Sequence, residues 1–111
     1  MIKSETFHLI KELVQKRVVL ISSHGYDELA EDGIFIGDIL NSIQDAIVIE
    51  DYPEAFKGRS VLLLQKDKDK NPIHTVWGIP KGKDEPAVLI TAYIPSHEKW
   101  DKTFKKRREN A

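Results

Sequence analysis

Apolar positions fall into two regimes along this chain. In the first, Phe7, Ile10, Leu13 and Val14 recur at helical spacing behind Ser4, a residue suited to capping a helix N-terminus. Arg17–Ser22 (RVVLIS) reads as a strand, rich in β-branched residues and free of Gly and Pro. Ser22 or Ser23 can cap a second helix in which Tyr26, Leu29 and Ala30 share a face and which Gly33 stops. Ile36, Ile39, Leu40 and Ile43 follow the i, i+3, i+4, i+7 rule of a third helix. From Ala46 onward the period shortens. AIVIEDY, SVLLLQ, PIHTVWGI and AVLITAYI are four strand-like runs separated by PEAFKGR, KDKDKNP and PKGKDEP, with KDKDKNP reading as a hairpin turn.

The order helix, strand, two helices, meander predicts an α+β domain over residues 1–100. N-terminal helices pack on one face of an antiparallel β-sheet, a four-stranded meander plus one earlier strand. The opposite face is left for a ligand. His74, in the third meander strand, is expected to point outward on that face. Thr91 and Tyr93 are expected to join it from the fourth, with Ile90, Ala92 and Ile94 pointing inward. The hairpin places His74 near Thr91, Ala92 or Tyr93, depending on register. Residues 101–111 read as a basic, frayed tail.

At 111 residues, 41% hydrophobic and 32% charged, the chain fits an ordinary single globular domain. No apolar run reaches the length of about 20 residues that spans a bilayer, and MIKSETFH lacks a signal-peptide core; no membrane association and a cytoplasmic location are expected. Without cysteine there is no disulfide, thiolate metal site or cysteine nucleophile. The net charge of −1 conceals an uneven distribution: Asp27–Glu54 is acidic, and Lys102, Lys105, Lys106, Arg107 and Arg108 make the tail basic.

The common motifs fail. GIPKGK is one residue short of a phosphate loop and is followed by Asp84 where Ser or Thr is needed. HEKWD ends in Asp101 where a zinc-protease helix needs His, and His8, His24, His74 and His97 have no metal-ligand spacing. No glycine elbow surrounds Ser22 or Ser23. No metal or cofactor is expected. What remains is a metal-free set of groups: His24 at a helix start, His74, Tyr93, and the cations Arg59 and Lys81. Cleavage of RNA through the 2′-hydroxyl needs a base, an acid and positive charge for the phosphorane, and these side chains supply those types. Each also has a plain structural explanation as a cap, a surface aromatic or a loop cation.

SSHGYDELAEDGI, IVIEDYPEAFKGRSVLLLQ and NPIHTVWGIPKGKDEPAVLITAYIPSHEKW, taken in that order, resemble the bacterial domain-of-unknown-function family numbered 4258, from about Ile21 to Trp100. The most specific pieces are the Ser-His start of the helix, the P-x-H-x-V-x-G strand and the T-A-Y-x-P…W ending. The resemblance implies a fold similar to RelE-type and barnase-like ribonucleases. It also implies a toxin-like endoribonuclease with an antitoxin protein as partner and RNA or the ribosome as target. It places the family's histidines on His24 and His74, which with Tyr93 are the expected catalytic groups. The closing residues fall on Thr91, Tyr93, Pro95 and Trp100, with Thr91 and Trp100 beside Arg59 and Lys81 on the substrate side. Where many relatives carry arginines in the helix after the first histidine, this chain has Glu28 and Asp32. Asp27, Glu28, Glu31 and Asp32 together repel RNA and attract a basic partner, which supports a second expectation: a non-catalytic protein-binding module with the same fold.

Overall fold

The computed structural model describes residues 2–108. Helix α1 spans Glu5–Gln15; Ser4 Oγ accepts from the Phe7 N–H at 3.1 Å and donates to Asp51 at 2.8 Å, so the cap also ties the helix to the sheet. Strand β1 is Val19–Ile21, shorter than the RVVLIS run, because the chain turns into α2 (Ser23–Asp32) as soon as Ser22 caps it through the Gly25 N–H. Gly33, at φ 65°, closes α2 in the left-handed conformation that glycine adopts without a Cβ penalty. Helix α3 is Ile36–Ser42, followed by a 3₁₀ turn over Ile43–Asp45. The meander is β2 (Ile47–Tyr52), β3 (Ser60–Lys66), β4 (Pro72–Gly78) and β5 (Ala87–Tyr93).

The five strands form one sheet in the order β1-β5-β4-β3-β2. The meander is antiparallel throughout, but β1 pairs with β5 in parallel, so the sheet is mixed rather than the purely antiparallel one expected. Between β1 and β5 the chain runs through two helices and three strands, a crossover long enough to return in the same direction. Beyond the short β1, helix α2 takes over the edge of β5: Ser22 Oγ donates to the Ile90 carbonyl and Asp32 accepts from the Ile94 N–H. A Cβ on Gly25 would lie 2.9 Å from the Leu89 carbonyl oxygen, which is why this approach needs glycine.

The main core lies between the helices and one sheet face, joining Phe7, Ile10, Leu13, Leu29 and Ile39 to Val61, Leu63, Ile73, Trp77 and Leu89. Within it, Gln65 donates to the Ile39 carbonyl and to Ser42, and accepts from Thr75 Oγ1 and Trp77 Nε1, so the buried polar groups at this layer are satisfied. A second, smaller core forms on the other face, where Ile49, Leu62, Leu64 and Trp100 pack with Val76 and Phe104. Of these, Phe104 comes from the segment read as a tail. Residues 97–108 fold back over the sheet as a strap, closed by a Trp100–Arg107 bridge and an Asp101 N–H to Lys106 carbonyl bond; residues 109–111 lie outside the described residues.

Candidate functional site

Alternation along β4 sends Ile73, Thr75 and Trp77 to the helices, and His74 and Val76 to the second face. The register places His74 opposite Tyr93 and Val76 opposite Thr91, so His74, Thr91 and Tyr93 share that face as expected. Two of the inward assignments fail. Between the Val76–Thr91 and Trp77–Leu89 pairs β5 carries one extra residue, Ile90. This bulge leaves Ile90 partly exposed on the second face, and Ile94 is exposed past the strand end.

His74 does not look out into solvent. It is 0% exposed, beneath Trp100, whose ring meets the imidazole edge-on at 4.3 Å. The cause is the strap: Trp100 and Phe104 are large apolar groups in an otherwise charged segment, and the apolar ground around His74 is where they are buried. Both ring nitrogens are occupied. Nε2 lies 2.7 Å from the Phe104 carbonyl, which only accepts, so Nε2 carries the proton. Nδ1 of the neutral ring is then an acceptor, and the Tyr93 hydroxyl donates to it at 3.2 Å. Burial lowers the His74 pKa from its ordinary value and outweighs the opposing pull of the Phe104 carbonyl. Burial likewise raises the Tyr93 pKa.

The strap is latched on its far side by a cluster that sequence reading missed. Arg107 donates to both carboxylate oxygens of Glu50, at 3.2 and 3.1 Å, while its guanidinium sits 4.7 Å above the Trp100 ring. The Tyr52 hydroxyl donates to Glu50 at 2.6 Å. Arg107 holds the Glu50 carboxyl below its usual range, and the bond to Glu50 raises the Tyr52 pKa. Glu50 and Tyr52 are i, i+2 on β2 and therefore on one face, a readable signal; nothing in a run of Lys and Arg singled out Arg107. Beside Tyr93, a depression of about 370 Å³ opens between Ser96, Lys99, Trp100 and Arg107.

The other expected site residues are dispersed. His24 stands exposed in the first turn of α2, its Nε2 3.5 Å from Glu28, and is not a partner of either His74 nitrogen. Thr91 is half-buried, opposite Val76 and two register pairs along from His74. Trp100 is 2% exposed, packed over His74 in the second core. Arg59 and Lys81 do come together, in the loops at the Gly78 end of β4, about 13 Å or more along the strand from His74. There Arg59 meets Asp84 at 3.4 Å and Lys81 lies 5.5 Å above the Phe56 ring. Among the described residues no group of three or more His, Asp or Glu side chains is placed to hold a metal ion.

In chemical terms the imidazole and phenol are joined in one fixed donor–acceptor chain that ends on a backbone carbonyl. Neither His74 nitrogen is presented to a ligand, and the cations sit at the other end of the sheet. A family model described as Domain of unknown function (DUF4258) matches residues 21–94, two thirds of the chain. No curated protein and no solved structure matches.

Proposed function

We propose that this chain, which belongs to that family, is a non-catalytic protein-binding module that docks its partner on the part of the second sheet face the strap leaves open. The observation that carries the reading is the closure of His74, whose two nitrogens are taken by Tyr93 and by the chain's own backbone under Trp100. The open part is a groove of about 550 Å³ floored by Ser60, Gly78, Val88 and Ile90 and flanked by Phe56, which is 85% exposed. An aromatic held out in water beside an apolar groove is the composition of an interface centre. The loops that frame it are tied to each other: the Ile79 N–H donates to the Arg59 carbonyl and the Lys81 N–H to the Lys57 carbonyl. A Cβ on Gly58, at φ 134°, would fall 2.1 Å from the Ile79 carbonyl oxygen.

The test is photocrosslinking in producing cells. A photoreactive phenylalanine analogue at position 56 or 90 is expected to give a discrete protein adduct, and the same analogue at exposed Lys16, the C-cap of α1, to give none. RNA incubated with the purified protein and ribosomes in EDTA is expected to stay intact.

One observation favours a second reading, a metal-independent RelE-type or barnase-like ribonuclease: Glu50, Arg107 and Tyr93 gather around the strap. In that chemistry the Glu50 carboxylate takes the 2′-hydroxyl proton, Arg107 meets the phosphate, and the Tyr93 hydroxyl protonates the leaving oxygen with His74 behind it. RNA cleavage in EDTA that Glu50→Gln and Tyr93→Phe both abolish would establish this reading and overturn the first.

A further inference from the structure

The charge of this chain is segregated along its length. Residues 1–50 hold four Lys or Arg, namely Lys3, Lys11, Lys16 and Arg17, against nine Asp or Glu; residues 51–111 hold thirteen against nine. The fold turns this into two unlike surfaces. Helix α2, SHGYDELAED, contains no cation at all. On its outer side Tyr26, 62% exposed, is a neighbour of exposed Asp27 and Ala30 within one turn, with Glu31 beside them. The groove presents the converse: an apolar floor and Phe56 within a rim where Lys57, Arg59, Lys81 and Lys83 outnumber Glu54 and Asp84, the latter already paired with Arg59. One surface is an aromatic knob set in acid, the other an aromatic-walled hollow set in base.

We infer that the occupant of the groove is a second copy of this chain, with Tyr26 of one molecule seated beside Phe56 of the next and Asp27 and Glu31 facing Lys57, Lys81 and Lys83. The inference rests on the docking reading above and names its partner. Complementary charge speeds and orients the encounter, and the buried aromatic pair supplies most of the affinity. The two surfaces are unlike, so each copy brings a knob to one neighbour and a groove to another, or exchanges both with a single partner about a two-fold axis.

Sedimentation velocity on the purified full chain tests this. The protein is expected to pass from monomer to larger species as its concentration rises from micromolar to millimolar, at lower concentration in low salt than in high. Tyr26→Arg and Phe56→Asp alter exposed side chains and are expected to keep the native circular dichroism while weakening self-association by on the order of thirtyfold each. An equimolar mixture of the two variants restores one intact knob and one intact groove, and is expected to form a 1:1 complex that neither forms alone. Ile2→Asp, at an exposed apolar residue on neither surface, leaves association unchanged. A protein that stays monomeric at low salt, association that survives both substitutions, or a mixture that fails to pair would overturn the inference. If the chain is monomeric yet position 56 crosslinks to a different protein, the docking reading stands and only the self-recognition falls.

Discussion

A histidine in a strand between Ile73 and Thr75 needs a reason, and at the level of the residue the reason is a carbonyl. The Phe104 backbone sits in a left-handed turn, φ 60°, directly over β4, and its oxygen has the His74 Nε2 proton as partner. Leaving a buried carbonyl unpaired costs about 1–3 kcal/mol, so a donor at position 74 contributes on that scale. The pH dependence follows from the direction of its pKa shift. In the fold the ring is kept neutral below its ordinary value of 6.5, whereas in the unfolded chain it protonates there. Below about 6.5 the unfolded state therefore binds more protons, and stability falls as the pH falls. Glu50 adds a separate loss at lower pH: its carboxyl lies below 4.5 in the fold, so the benefit of its pairing with Arg107 disappears on further acidification. Urea unfolding at a series of pH values is expected to show a decline beginning near pH 6.5, and His74→Asn to flatten that part of the curve. That His74 would leave the helical side was legible from alternation alone. That it would be covered was not, because Trp100 and Phe104 lie 26 and 30 positions away (100 − 74 and 104 − 74), at the start of and within a segment whose composition reads as solvated.

Among elements, the strap carries the largest difference between what the sequence suggests and what the fold does. Its charge density marks residues 101–108 as a tail, yet Trp100 and Phe104 anchor it to the sheet, with Arg107 and Glu50 as a latch. Trp100→Ala is expected to cost about 3–5 kcal/mol in chemical denaturation, and to expose the strap's Lys and Arg bonds to trypsin well before the rest of the domain. Equal resistance of all sites in wild type and variant would show that the strap is not held by Trp100. Other elements were plain in the sequence because local chemistry determines them. Ser4 and Ser22 cap, Gly33 terminates, and Asp67 accepts from the Asp69 and Asn71 N–H groups to form the β3–β4 hairpin. The bulges at Ile49 and Ile90 had no such signal. A single inserted residue moves a side chain to the other face, and only cross-strand pairing reveals it, so alternation alone puts Ile90 in the interior.

For the whole molecule, the helical layer and one sheet face form a conventional core, and the second face is divided between the strap and an open groove with a basic rim. The α+β order was legible because the hydrophobic period changes from helical to alternating near Ala46. The parallel β1–β5 pair was not, since three residues of strand carry no mark of direction. The candidate site was legible as a set of residue types but not as one place. His74 and Tyr93 do meet, His24 remains apart from them, and Arg59 and Lys81 meet each other at the far end of the sheet. On this division rests the proposal that the molecule docks a partner at the groove rather than transferring a proton at His74. It depends on the imidazole being closed, neutral and protonated on Nε2. Long-range proton–nitrogen correlation of the His74 ring from pH 7.5 down through 6 measures this directly. The pattern of a neutral ring with Nε2–H, persisting below pH 6.5, is the predicted result. An Nδ1–H tautomer, or a ring that titrates freely at or above 6.5, would contradict it and return His74 to the list of groups able to exchange a proton with a ligand.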